Sequence, residues 1–200
     1  AGPRGTGLCH QARCRAGHDE SALGLGYRHD LPLPAVAEGL TPNSAWKKTA
    51  RSEPWTTGDS FNYGIGQGFT LASPLQLAVM TARLATGREV VPRIVKAVGG
   101  VEIPVAPQES LGLDPGHLRA VQGGLFAVSN EGTAYRSRSV EPLMAGTTGT
   151  SQVRIITAAE RAAGVTKNDQ LPWGRRDHAL FIAYAPADNP RYAIAQIVEH

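Results

Sequence analysis

The sequence predicts an α+β fold, an antiparallel sheet with helices packed on it. Three observations carry the prediction. Residues 144–153, 177–185 and 191–199 read as strands, the first a small-residue run passing into alternating Gln152, Val153, Arg154 and Ile155. The last two are joined by a short turn at 186–190, which favours antiparallel neighbours. Upstream, 73–87 and 114–130 carry helix start signals followed by apolar residues at helical spacing.

Composition fits that class. Apolar residues make up 42% and charged residues 18% of 200 residues, enough for one domain with a sizeable core. The net charge of +3 is modest. Lys47, Lys48 and Arg51 cluster, as do Arg175 and Arg176, without interleaved aromatics, so they read as solvated faces and no nucleic-acid partner is expected. No apolar run is long enough to span a bilayer, and no signal peptide is present. Cys9 and Cys14 fit neither a zinc-site nor a redox Cys-x-x-Cys spacing, and His10 and His18 lie nearby at irregular intervals. A disulfide in an oxidising compartment is compatible with two thiols but not established by them. No metal and no cofactor is expected.

Residues 1–22 show no sustained period and form a poorly defined N-terminal segment. Leu31-Pro-Leu-Pro34 forces extended backbone, because each proline excludes its predecessor from the helical region. Thr41, Asn43 or Ser44 caps a short turn holding Trp46 and Lys47. Pro54, Gly58 and Asp59 read as loop. The run Gly64-Ile-Gly66-Gln67-Gly68 lacks the Lys-Ser/Thr of a phosphate loop, so tight backbone packing is its expected use.

Ser73-Pro74 opens a helix with serine at the N-cap and proline at its first position, and Gly87 suits the C-terminal cap. Its apolar residues lie nearly all round, so it is expected to be buried. Residues 90–105 hold short strand pieces broken by Pro92, Gly99-Gly100 and Pro104. Asp114-Pro115 opens the second helix, with a stripe of Leu118, Val121, Leu125 and Val128. Gly123 and Gly124 within it point to close approach of another backbone, since each costs about 1 kcal/mol relative to alanine. Residues 157–176 form a polar connection with a helical turn at 158–163. The segment from Asp177 to Ala185 is apolar on both faces, as a central strand should be.

The stretch Met144-Ala-Gly-Thr147-Thr148-Gly149-Thr150-Ser151-Gln152-Val153 resembles the Lys-Thr-Gly strand of penicillin-binding proteins and serine β-lactamases, with Thr147 where that family has lysine. Other blocks agree: Gly39-Leu-Thr-Pro with Trp46-Lys47, Asp59 through Gly68, Ala72 through Ala78, and Asp177 through Pro186. Together they resemble the penicillin-binding protein 2 type of class B peptidoglycan D,D-transpeptidases across about 23–200. The resemblance implies a partial transpeptidase domain of the β-lactamase/transpeptidase-like fold over those residues. It implies acyl transfer on D-alanyl-D-alanine stem peptides, trapping of β-lactams, and a location at the periplasmic face of the bacterial inner membrane. Partners implied are the peptidoglycan stem peptide, β-lactams and proteins of a cell-elongation complex.

By the same resemblance Thr147, Thr148, Gly149 and Thr150 form the substrate-binding strand. Thr150 N–H is one half of the oxyanion hole, and the Thr148 and Thr150 hydroxyls hold the substrate carboxylate. The family nucleophile belongs to a Ser-x-x-Lys motif, in which the lysine is the base. Ser44-Ala-Trp-Lys47 and Ser60-Phe-Asn62 spell such patterns but fall in blocks assigned to other work. The segment 42–51 also lacks the apolar period of a buried helix. The first two motifs are expected upstream of about residue 9, and the chain reads as cut at both ends. No residue of this chain is therefore assigned a catalytic role, and the chain is expected to be inactive alone. A non-catalytic cell-wall binding or scaffold module, or a degenerate gene product, are the other readings.

Overall fold

Asn43 opens the first helix, its side chain accepting the Trp46 N–H at 2.8 Å. The structure, a computed structural model, describes residues 21–154 and 156–199. Cys9, Cys14, His10 and His18 lie outside them. The expected short turn is in fact a two-turn helix, α1 (Ser44–Arg51), closed by Ser52 in a left-handed conformation. It buries one residue, Lys47, which is 5% exposed and so not part of a solvated face; Lys48 and Arg51 are exposed as expected. Arg176 also departs from that reading, being half-buried and donating to the Leu171 and Asp169 carbonyls.

The loop expected around Pro54, Gly58 and Asp59 is mostly a second helix, α2 (Thr57–Gly64). Thr56 and Asp59 form a reciprocal capping box, which satisfies two orphan N–H groups and outweighs the poor propensity of Gly58. The glycines that follow serve turns rather than tight packing. Gly66 and Gly68 have φ of 72° and 86°, and a Cβ on Gly66 would meet nothing within 4 Å.

Ser73 and Gln76 form a second capping box, and Gly87 closes α3 (Pro74–Thr86) in the left-handed region. The helix forms where expected, but its most buried side chains include polar ones. Gln76 is 0%, Thr81 1% and Arg83 2% exposed, while Leu75, Leu77 and Leu84 are half-buried. These polar groups fasten a loop that has no ladder of its own. Gln76 Nε2 donates to the carbonyls of Tyr27 and Glu38, and Arg83 Nη1 to that of Ala22.

Gly99-Gly100 turns a small hairpin of β1 (Ala97–Val98) and β2 (Val101–Glu102), exposed along its whole length. Asp114 then caps α4 (Pro115–Asn130) by accepting from Gly116 and His117 N–H. Val121 is 46% exposed, so the inward stripe runs through Leu118, Gln122, Leu125 and Ser129 instead. Neither Gly123 nor Gly124 meets a neighbour within 4 Å of an added Cβ, so the expected backbone contact is absent there.

The three strands form near their expected bounds: β3 (Ala145–Ser151), β4 (His178–Ala185) and β5 (Tyr192–Val198), antiparallel in the order β3-β4-β5. However, β3 ends before the alternating Gln152, Val153 and Arg154, and Ile155 lies outside the described residues. A short helix, α5 (Ala158–Ala163), interrupts the connection between β3 and β4. Helix α3 packs on β4 and β5, and α4 on β3. Ala85, Ala145 and Tyr184 form the core between them, with Leu125 and Ala187 packed against it. Among the described residues, no helix is long and apolar enough to cross a membrane.

Candidate functional site

The outer edge of β3 is where the sequence-predicted residues stand. Register pairs Ala145 with Tyr184 and Ser151 with His178, so β4 occupies one edge of the strand throughout. The other edge receives side-chain donors. Asn130 Nδ2 reaches the Met144 carbonyl at 3.3 Å, Ser129 Oγ that of Gly146 at 3.1 Å, and Gln67 Nε2 that of Thr150 at 2.8 Å. In a strand, a residue's N–H lies on the same side as its C=O. The Thr150 N–H therefore points to this outer edge and not into the β3–β4 ladder.

Thr148, Gly149 and Thr150 are exposed, and Thr147 is half-buried. The Thr148 hydroxyl lies 3.1 Å from that of Thr133, which follows α4, and Thr147 Oγ1 donates to the Thr148 carbonyl at 3.3 Å. Gly149 is the more open of the two glycines in this strand. A Cβ there would meet only Leu180, at 3.3 Å, whereas Gly146 lies against the backbone of Ile182 and Ala183. Such an edge presents hydroxyls and the outward N–H groups of Thr148 and Thr150. It is suited to an extended peptide bound as an added strand.

Beside the edge, α2 and its glycine turn line a cavity of about 90 Å³ that includes Trp55, Asp59, Tyr63, Gln67 and Phe69. Gln67 belongs to both features, so the turn is tied to the strand through one side chain. Sequence reasoning read Gln67 only as part of a glycine run. No local signal links it to a carbonyl 83 positions away.

The Ser-x-x-Lys and Ser-x-Asn patterns are built for other work. Lys47 Nζ donates to Asp59 Oδ2 at 2.7 Å and lies 3.6 Å from Glu53. The hydrogen bond to Asp59 raises the Lys47 pKa above its ordinary value, against the opposing effect of burial. A lysine held in its protonated form is no general base. Ser60 accepts the Trp55 indole N–H at 2.9 Å, and both it and Asn62 sit exposed on α2.

Asp59 Oδ2 also accepts from the Thr56 N–H and hydroxyl, at 2.6 and 2.7 Å. With the Lys47 hydrogen bond first, these hold its pKa at about 2, below the ordinary 3.8. Because the folded value is depressed, the stabilisation is present above the unfolded value and is lost as pH falls from about 4 towards 2. Melting temperature followed from pH 5 to 2 should fall more steeply for the native chain than for Asp59→Asn, which has already lost it. Parallel profiles would refute this. Among the described residues, no three His, Cys, Asp or Glu side chains converge as metal ligands would.

Comparison with known proteins bears on the family and the fold. The penicillin binding protein transpeptidase domain matches residues 19–200. The peptidoglycan D,D-transpeptidase MrdA of Acinetobacter baumannii is 35% identical over 185 residues, which cover 89% of this chain and 27% of that protein. MrdA of Escherichia coli K12 is 31% identical, over 89% of this chain and 29% of its own. The chain thus spans under a third of the length of these curated relatives. The crystal structure of Pseudomonas aeruginosa PBP2 in complex with WCK 5153 superposes with a TM-score of 0.72 at 34% identity, over 91% of this chain and 38% of that one. PBP2 of Helicobacter pylori in complex with MreC gives 0.72 at 31% identity, over 90% and 31%.

Proposed function

We propose, from the premise that this chain belongs to the penicillin-binding protein transpeptidase domain family, that it supplies the substrate-docking strand of a peptidoglycan D,D-transpeptidase. The single observation that carries the reading is the outer edge of β3, with its exposed Thr148–Thr150 run and the Thr150 N–H free of the ladder. A D-alanyl-D-alanine stem peptide lies along that edge as an added strand. Its terminal carboxylate takes hydrogen bonds from the Thr148 and Thr150 hydroxyls. The Thr150 N–H stands where negative charge develops on the scissile carbonyl, a donor typically worth about 3 kcal/mol in the transition state. β-Lactams, with a carboxylate and a strained carbonyl, fit the same edge.

These 200 residues bind and orient but do not attack. The Ser44–Lys47 pattern is spent on a structural ion pair, since Lys47 is committed to Asp59 and stays protonated. Thr147 offers a hydroxyl where the family has a cation, so carboxylate binding here rests on neutral donors, about half as strong as charge-assisted ones. That substitution also favours a second reading, a cell-wall binding module without acyl transfer. In either case the setting is the periplasmic face of the inner membrane, alongside a cell-elongation partner of the kind seen with MreC in the H. pylori complex.

A fluorescent penicillin incubated with the purified chain should leave no covalent label; a labelled serine would overturn the assignment of a docking role alone. Titration with a stem pentapeptide should give saturable shifts at Thr148 and Thr150 that Thr148→Val/Thr150→Val weakens about ten-fold, as expected for two lost hydrogen bonds. A flat titration would remove the docking strand itself.

A further inference from the structure

A second concavity lies at the other end of the sheet, where β3 begins and β4 ends. It encloses about 660 Å³ between α3, α4, the loop before β3 and the β4–β5 turn. That volume falls in the range of ligand sites. Its walls are fastened to one another. Ala187 N–H donates to the Leu143 carbonyl at 2.8 Å, joining the turn to the loop, and Arg191 N–H closes the turn on Ala185 at 3.0 Å. Gln122 Nε2 ties α4 to the last turn of α3 through the Leu84 and Ala85 carbonyls. The shape is preformed.

The chemistry of the lining is uneven. Phe126 and Leu143 line it and remain 38% and 47% exposed, an apolar surface open to a visitor. Tyr184 is 3% exposed and lines the same space, yet its hydroxyl makes no hydrogen bond among the described residues. That hydroxyl keeps solvent contact at the concavity, so water serves it until a visitor displaces that water. Burial alone raises the Tyr184 pKa, with no hydrogen bond contributing. Glu141 and Asp188 are exposed at the lining, no lining residue is cationic, and neither carboxylate has an ion pair among the described residues.

We propose that this concavity is a docking site for a partner polypeptide that inserts an aromatic or branched side chain over Tyr184 and places an adjacent lysine or arginine against Glu141 and Asp188. The apolar walls take the side chain, the two carboxylates select the cation, and the Tyr184 hydroxyl bonds the inserted backbone. An open apolar cleft with one charge sign at its mouth suits a protein segment by charge complementarity. The site is separate from the β3 edge, which lies toward the opposite end of that strand.

The probe is acetyl-Phe-Arg-amide, with acetyl-Phe-Glu-amide as its charge-reversed control, added to the full chain and followed by amide NMR. Saturable shifts are expected at Phe126, Leu143 and Tyr184 with the arginine peptide only, fading as salt is raised. Glu141→Gln/Asp188→Asn should weaken binding about five-fold, as for two exposed charge pairs. Leu143→Arg, at an exposed position, should abolish it. Unchanged melting curves for these variants separate loss of the site from loss of fold. Absence of saturable shifts, or equal binding of the two peptides, would overturn the proposal. A concentration-dependent dimer that protects Phe126 and Leu143 would overturn it too, by naming a second copy as the occupant.

Discussion

Gln76→Leu should destabilise the chain by about 3 kcal/mol, the sum of several stranded polar groups at about 1 kcal/mol or more each. Gln76 is fully buried and uses both ends of its amide. Oε1 accepts the Ser73 N–H at 2.9 Å, and Nε2 donates to the Tyr27 and Glu38 carbonyls at 3.0 and 2.8 Å. Leucine fills similar volume but leaves one donor and two acceptors stranded. The side chain also packs on Gly39, whose φ is 69° and whose added Cβ would fall 2.6 Å from Oε1, so the loop has little room to re-form its bonds. A fall in melting temperature of roughly 10 °C is expected for a domain of this size. A change under about 2 °C would mean that water reaches those carbonyls and that the loop is held some other way.

Gly146→Val is expected to cost at least as much, about 3 kcal/mol, which lies at the upper end for forced overpacking. The first atom of any side chain at 146 would lie 2.6 Å from Ala183 Cβ, 2.8 Å from Ala183 Cα, and against the Ile182 carbonyl. These are atoms of β4's own backbone and first carbon, and they can yield only if the β3–β4 ladder opens. Opening it also displaces the Gly146 carbonyl from Ser129 Oγ. Gly149→Ala is the control. Its Cβ would meet Leu180 side-chain atoms at 3.3 and 3.7 Å, which can adjust, so a loss below about 1 kcal/mol is expected. Thermal melts of the two variants decide the matter. Equal losses would show that β3 tolerates side chains along its length.

The elements that sequence reading placed well are those whose instructions are local. Ser73, Pro74 and Gly87 hold start, first turn and stop of α3 within 15 positions, and the structure uses each of them as read. The strands were legible because small-residue and apolar runs and a short turn also act between neighbours. The capping box of α2 was local too, in Thr56 and Asp59, but Pro54 and Gly58 masked it. What stayed hidden depends on partners far along the chain. Lys47 reads as a surface charge until Asp59, from another helix, comes to 2.7 Å. Gln67, Gln76 and Arg83 look like ordinary polar residues, and only the fold reveals which carbonyls they satisfy. Gly123 and Gly124 suggested close approach of another backbone, and no neighbour lies within 4 Å of an added Cβ at either. A glycine in sequence permits an approach without requiring one. For the site, the Thr147–Thr150 strand was readable by its small residues, while the side-chain bonds that pin its outer edge were not.

The β1–β2 hairpin stands apart from this network. Its four strand residues and its Gly99-Gly100 turn are exposed. Extra residues grafted between those two glycines would meet only solvent, since neither glycine has a neighbour within 4 Å of an added Cβ. The hairpin is therefore the natural port for a reporter group, one that leaves the outer edge of β3, the polar fastenings of α3 and the sheet untouched.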